Sequence, residues 1–312
     1  MNRIISSFKD ENLIPLENDF ENRETNTLIS DNITVICLDD YHINDREGRK
    51  ITNRSALHIK ENNFNLMYSQ LLQLKSNKII NKPIYNHING TIDKPETIKP
   101  KNMIIIEGLH PLHDKKIRDL IDLSIYIDIT DEIKEKWKIE RDMKDRGYSL
   151  ENIKKSIEFR KKDFDKFVLP QIKHSDIIIS ISESKLNSNM LNVKLIQDTK
   201  NNNYKPVYFI DEESNSLLNP SKKLKINSYK SILYNKQKNI LEIDGKFDNL
   251  ENLINLENNL INLESNYKGE LTDIMIKLAG TPGCLDGSGL LQTIISLKLR
   301  ELYSNKKKFI NI

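Results

Sequence analysis

Asp39 and Asp40 directly follow a short β-branched apolar run, residues 33–38. A buried strand delivering paired carboxylates at its C-terminal end suits phosphoryl transfer. One carboxylate accepts a hydroxyl proton while another holds Mg²⁺ through water. The plainer alternative is a turn in which Asp caps the next helix. A second apolar run, residues 103–106, ends at Glu107 and Gly108. It has the form of a Walker B strand, whose acidic tip reaches a metal; its alternative is an ordinary buried strand ending in a solvated Glu. A third group, Lys138, Arg141 and Asp142 with Arg146 just beyond, falls on one face at helical spacing. Such a face closes over phosphates as a lid, or is simply a solvated charged surface. His42 and His87 sit beside other polar candidates, and no HxxxH spacing supports metal ligation.

These residues need elements to position them. Besides the two runs above, residues 125–129 read as a third buried strand, and the stretches 64–75 and 131–145 are amphipathic at helical period. Strands alternating with helices predict a largely parallel α/β sheet, which binds ligands beyond the carboxyl ends of its strands. Asp39 and Glu107 fall there. After about residue 182 the pattern changes, with strands expected at 193–197, 207–210 and 240–243. Helices are expected near 249–262, 270–278 and 290–303. This part reads as an extension of the same sheet, dividing the chain into a core over residues 1–182 and a C-terminal extension over 183–312. Residues 9–32 are polar and aperiodic.

The 312 residues carry 48 Lys plus Arg against 45 Asp plus Glu, a net charge of +3. That balance argues against a dedicated nucleic-acid or membrane-surface binder. No run approaches the roughly 20 apolar residues of a membrane span, so a soluble protein is expected. Cys37 and Cys284 make no disulfide framework and belong to no metal-spacing motif.

The joint order of these motifs resembles the phosphoribulokinase family. The resemblance rests on Thr34-Val-Ile-Cys-Leu-Asp-Asp-Tyr-His42, Asn63-Phe-Asn-Leu-Met-Tyr68, Lys82-Pro-Ile-Tyr-Asn-His87, Ile106-Glu-Gly-Leu-His-Pro111 and Trp137-Lys-Ile-Glu-Arg-Asp142. It continues through Pro206-Val-Tyr-Phe-Ile-Asp211, Glu242-Ile-Asp-Gly245, Tyr267-Lys-Gly-Glu270 and Gly287-Ser-Gly-Leu290, covering about residues 26–303. Thr27-Leu-Ile-Ser-Asp31 looks more like the chloroplast form than the bacterial octameric one. The resemblance implies a P-loop NTPase-like fold of the phosphoribulokinase and uridine kinase type, with ATP and Mg²⁺ as cofactors and ribulose 5-phosphate as substrate. It implies Asp39 as the base for the C1 hydroxyl, with Lys138, Arg141 and Asp142 also in the catalytic set. His42, Arg46, Lys50, Tyr85, His87 and Arg146 would surround the substrate, and Glu107 and Asp40 would serve Mg²⁺. It further implies a homodimer, association with glyceraldehyde-3-phosphate dehydrogenase through a small redox linker protein, and a place in the plastid stroma, with the cytoplasm as alternative.

One departure is as informative as the match. The family's Gly-rich phosphate loop, GxxxxGK[ST], occurs nowhere in this sequence, and with it the first strand of the fold and the nucleotide-binding residues are expected to be missing. Residues 1–8 resemble the helix that follows that loop. Two further readings therefore stand beside the kinase: a catalytically inactive remnant that binds sugar phosphate or pairs with a full-length subunit, and a uridine-kinase relative. In the family, the thiol corresponding to Cys37 pairs with a Cys of the phosphate loop. A second pair lies in a block that here reads Pro220-Ser-Lys-Lys-Leu-Lys-Ile226, without Cys. Two free thiols are the expectation.

Overall fold

The computed structural model describes residues 14–15, 27–29, 32–144, 146–187, 189–199, 205–209, 223–247, 251–263, 269–277 and 286–310. The chain divides into two compact units, one over residues 11–122 and 138–174, the other over 1–10, 123–137 and 175–312.

In the first unit, β1 (Ile14–Pro15), β2 (Leu28–Ile29), β3 (Ile33–Cys37) and β6 (Met103–Glu107) form a sheet in that order. Every residue of β3 is buried, as its β-branched apolar run predicts. β3 and β6 run parallel, with Cys37 opposite Glu107, so both strands end at the same side. A separate antiparallel hairpin joins β4 (Ile80–Tyr85) to β5 (Ile92–Ile98), its register shifting between Lys82 and Ile84. The intervening Pro83 has no N–H to give the ladder, which is why the pairing slips there.

Among the described residues, the helices of this unit are α1 (Arg46–Thr52), α2 (Phe64–Lys75), α3 (Lys115–Arg118), α4 (Asp131–Lys144), whose first residues belong to the other unit, and α5 (Leu150–Asp163). Asp45, Asn63 and Ser149 cap α1, α2 and α5 by accepting backbone N–H groups. α2 buries Met67, Gln70, Leu71 and Leu74, the i, i+3, i+4, i+7 face of a helix. These side chains meet Ile36, Leu38, Ile80, Ile98 and Ile117 in one core. Each fully buried apolar side chain there contributes roughly 1.5–3 kcal/mol.

The second unit holds a five-stranded sheet of β7 (Ile125–Ile129), β8 (Ile177–Glu183), β9 (Leu191–Asp198), β11 (Leu224–Leu233) and β12 (Lys236–Gly245), ordered β11-β12-β9-β8-β7. β7 and β8 are parallel and the other pairs antiparallel. A two-residue turn at Tyr234 and Asn235, both at positive φ, closes the β11–β12 hairpin with the twist its strands need. β10 (Tyr208–Phe209) pairs with β13 (Leu260–Ile261). Helices α6 (Glu251–Asn259), α7 (Glu270–Lys277) and α8 (Gly287–Ile310) supply Leu253, Leu271, Leu290 and Ile294 to a core with Val193, Leu195 and Ile243.

Among the described residues, the helices and strands expected in this half are present. β7 bonds to β8 rather than to β6, so β3–β6 and β7–β8 belong to different sheets. The two units alternate along the chain, with residues 123–137 and 175–312 in one and 11–122 and 138–174 in the other. The physical reason lies in strand pairing: β9 follows β8 closely and adds to it antiparallel, so the chain after residue 175 builds onto β7. No helix among the described residues is long and apolar enough to cross a membrane.

Candidate active site

The parallel β3–β6 pair carries the chemistry of the first unit at its carboxyl end. Beyond β3, residues 38–41 form one 3₁₀ turn, which sends two consecutive aspartates to opposite destinations. Asp39 faces a cavity of about 840 Å³. Asp40 turns inward and is fully buried, with Lys82 Nζ on one carboxylate oxygen and the Tyr85 backbone N–H donating to the other at 2.9 Å. Lys82, also fully buried, reaches Glu96 at 3.0 Å and donates to the Pro83 carbonyl at 3.0 Å. Thr27 donates to Glu96. A buried cation between two carboxylates is tolerated only when its hydrogen bonds are made, and here they are. The group ties the β4–β5 hairpin to the turn that aims Asp39.

That hairpin presents Tyr85 and His87. The Tyr85 ring lies edge-on to His42 and to His87, with centroids 5.1 and 5.0 Å away. Its hydroxyl accepts from Arg49 Nη2 at 2.6 Å, and Arg46 Nη2 donates to the His87 carbonyl at 3.0 Å. Gly90, at φ +81°, has no side chain where a Cβ would stand 2.5 Å from Arg46 Nε, so α1 packs directly on the hairpin turn. Buried Glu61 accepts from Asn44 at 2.8 Å and from Thr52 at 2.9 Å, holding both ends of α1. Burial lowers the His42 pKa, with Asp39 opposing and Arg49 assisting.

The far wall is helical. Asp142, near the end of α4, accepts from Lys138 at 2.6 Å, Arg141 at 2.9 Å and Arg146 at 3.2 Å. Burial alone would raise its pKa, but the bonds from Lys138 and Arg141 hold it below the usual range. Burial lowers the Lys138 pKa, and the bond to Asp142 opposes it. Asp142 thus acts as a clamp that aligns three cations. From α5, Arg160 projects into the same cavity, its charge disfavoured first by burial and then by Arg49.

All the expected substrate-binding residues, His42, Arg46, Lys50, Tyr85, His87 and Arg146, line this one cavity, as do Asp39, Lys138, Arg141 and Asp142. Nine Lys or Arg side chains surround it against two carboxylates, Asp39 and Asp142, an electrostatic setting for a phosphorylated ligand. The two residues expected to serve Mg²⁺ differ in their surroundings. Asp40 is spent on Lys82 and Tyr85, whereas Glu107 ends β6 exposed. No cluster of three or more His, Cys, Asp or Glu is poised for a metal among the described residues. Mg²⁺ needs only one or two protein carboxylates beside phosphates and water, so Glu107 fits it and Asp40 does not. Arg49, Arg54, Arg160 and His110 line the cavity without having been singled out from sequence. A helical repeat from Asn152 and Ile153 through Ser156 to Phe159 and Arg160 was the available signal for α5.

Residues 1–187 match the Phosphoribulokinase / Uridine kinase family. The chain is 45% identical over 295 residues to the chloroplastic phosphoribulokinase of Spinacia oleracea, covering 90% of this chain and 73% of that one. It is 46% identical over 294 residues to the chloroplastic enzyme of Chlamydomonas reinhardtii, covering 90% and 78%. Against the phosphoribulokinase of Synechocystis it is 39% identical over 296 residues, covering 91% and 89%. The solved phosphoribulokinase from Rhodobacter spheroides superposes with a TM-score of 0.51 at 16% identity, over 79% of this chain and 87% of that one, which speaks for the fold. With a strand-end aspartate facing a cation-lined cavity and identities of this size along nine-tenths of its length, the chain belongs to the phosphoribulokinase and uridine kinase family.

Proposed function

We propose that the chain is a phosphoribulokinase, which transfers the γ-phosphoryl group of ATP to ribulose 5-phosphate and yields ADP and ribulose 1,5-bisphosphate. The observation that carries this reading is the cavity in which Asp39 faces nine cationic side chains. Asp39 takes the proton of the C1 hydroxyl, and that oxygen bonds to the γ-phosphorus as the bond to the ADP oxygen breaks. Arg46, Lys50, Tyr85, His87 and His42 hold the sugar phosphate, and Lys138, Arg141 and Arg146, aligned on Asp142, neutralise charge on the transferred group. Glu107 is the residue assigned to Mg²⁺, which would neutralise phosphate charge when bound. A homodimer, association with glyceraldehyde-3-phosphate dehydrogenase through a small redox linker, and a plastid stromal location belong to the same proposal; the chloroplastic names of the plant and algal relatives support the location.

A second reading rests on one sequence observation. GxxxxGK[ST] does not occur in the 312 residues, and no residue is assigned to the β- and γ-phosphates of ATP. Binding of sugar phosphate without turnover by these 312 residues is the alternative reading. Titration calorimetry with ribulose 5-phosphate and with uridine, beside a coupled assay of ADP formation, separates the readings. Binding of ribulose 5-phosphate with turnover supports the kinase, and binding without turnover the second reading. Absence of binding refutes both, and binding of uridine in its place points to a nucleoside kinase.

A further inference from the structure

We propose that Glu61 is a positioning residue: its buried carboxylate holds α1 in the orientation that brings Arg46 and Lys50 to the cavity, without touching a ligand itself. The inference rests on the functional reading above and adds to it a residue that stands outside the charged motifs.

α1 has no apolar face to hold it in place. It spans seven residues, none of them buried, and its one aliphatic side chain, Ile51, is 87% exposed. A helix this short is marginal on its own, and helices in proteins owe most of their stability to a packed apolar face. Its ties to the β4–β5 hairpin run largely through the cations themselves. Arg46 Nη2 donates to the His87 carbonyl and Arg49 Nη2 to the Tyr85 hydroxyl, beside the bond from the Arg46 N–H to the Gly90 carbonyl at 2.8 Å. A guanidinium that turns to an anion gives up such a side-chain bond.

Glu61 supplies ties of another kind. Its side chain is fully buried, and Oε2 accepts from Asn44 Nδ2 at 2.8 Å, just ahead of α1. Oε1 accepts from the hydroxyl of Thr52, the last residue of α1, at 2.9 Å, and Arg54 beyond it stands 3.5 Å from the same oxygen. The Glu61 carbonyl accepts from the Ile43 N–H at 2.9 Å. One residue thus grips the chain on both sides of the helix, and none of these bonds spends Arg46 or Lys50. Glu61 itself is fixed, because it closes a 3₁₀ turn, Ile59–Glu61, in which His58 Nδ1 accepts from the Lys60 N–H at 3.1 Å. Asn62 donates to the Ala56 and His58 carbonyls, both at 3.1 Å, and the Asn63 N–H donates at 2.9 Å to the Tyr41 carbonyl, in the turn that carries Asp39. Hydrogen bonds to a carboxylate are stronger than neutral ones, and a buried carboxylate that loses them is costly, so α1 is held where Glu61 is satisfied. Two cations on so short a helix act on one anion only while that helix is docked. Apparent affinity is therefore reduced by the docked fraction.

The test uses the full chain, with ribulose 5-phosphate titrated calorimetrically and hydrogen exchange followed on peptides. Glu61→Ala should weaken ribulose 5-phosphate about ten-fold, as when α1 is docked in about one molecule in ten. Glu61→Gln, whose amide still accepts from Asn44 and can donate to Thr52, should stay within about three-fold of the unaltered chain. In an Arg46→Ala background, Glu61→Ala should cost less than about three-fold more, because a residue it positions is already gone. Peptides spanning residues 43–53 should exchange faster in Glu61→Ala, and those of β9 and β12 at the unaltered rate. Unchanged affinity in Glu61→Ala overturns the inference, as does an equal loss in Glu61→Gln or full additivity with Arg46→Ala. Should Glu61→Ala not fold, Asn44→Ala combined with Thr52→Val removes the same two side-chain bonds from the other side. That double variant should show the same ten-fold loss, and its unchanged affinity overturns the assignment. If the unaltered chain does not bind ribulose 5-phosphate, the functional reading falls, and exchange over residues 43–53 still decides whether Glu61 holds α1.

Discussion

Replacing Lys82 by Met would remove the cation that bridges Asp40 and Glu96, in a region where all three side chains are essentially sealed from solvent. The methionine fills most of the lysine's volume, so the loss is electrostatic rather than a cavity. Breaking a buried ion pair on one side costs about 3–5 kcal/mol, because the remaining charge keeps its desolvation penalty without its partner. That is a large share of the 5–15 kcal/mol by which a domain is typically stable. Since the chain comprises two units, a single unfolding midpoint would blend them, and a local probe is needed. Hydrogen exchange followed on peptides from β4 and β5 reads the affected hairpin directly. At 1.4 kcal/mol per decade, amides protected through opening of the hairpin should exchange roughly two to three and a half orders of magnitude faster in Lys82→Met. Peptides from β9 and β12, in the other unit, should be unchanged. The triple variant Lys82→Met, Asp40→Asn, Glu96→Gln should recover part of the loss, since no unpaired charge remains. Acceleration of less than five-fold in the single variant would refute the reasoning, by showing that the two carboxylates find protons or water at little cost.

Asp39→Asn removes one of two carboxylates from a cation-lined cavity, so affinity for ribulose 5-phosphate should hold or rise a few-fold while any ADP formation falls by at least 10²; a large loss of affinity in calorimetry would contradict the base assignment. Arg46→Ala should instead weaken ribulose 5-phosphate about ten-fold or more, as expected for a lost charged hydrogen bond. Cys37 is 7% exposed, and burial, then Asp39 and Glu107, push its thiol far up, so iodoacetamide at pH 8 should leave it unlabelled until the chain is unfolded; peptide mapping that finds native Cys37 fully alkylated would overturn this. Cys284 lies outside the described residues. The folded-state pKa of His110, about 4, lies below its unfolded value of 6.5, so the unfolded chain takes up the proton first. Its contribution is present above pH 6.5 and lost as pH falls towards 4, by up to about 3 kcal/mol. His113 and His42, lowered by burial, act in the same sense. Urea midpoints between pH 7 and 4.5 should fall less steeply in His110→Phe, and identical slopes would remove this account.

Sequence periodicity determined what depends on near neighbours. The β-branched run at 33–37 had to be a buried strand, and the two acidic tips at Asp39 and Glu107 follow from where such runs stop. α2 and α4 emerged within a residue of their expected ends, because a helix buries one face and its spacing records that face. The β4–β5 hairpin was hidden, since its prolines break the alternation that marks a strand, and only the pairing of distant residues, Tyr85 with Ile92 and Ile80 with Ile98, defines it. Asp39 and Asp40 are indistinguishable as letters. Their separate fates were decided by a lysine 42 positions away from Asp40 and buried with it, a contact that leaves no local trace in the chain. Short-range regularity is written in residue spacing; which polar atoms are consumed by the fold and which remain for a ligand depends on long-range packing, and tertiary structure alone decides it.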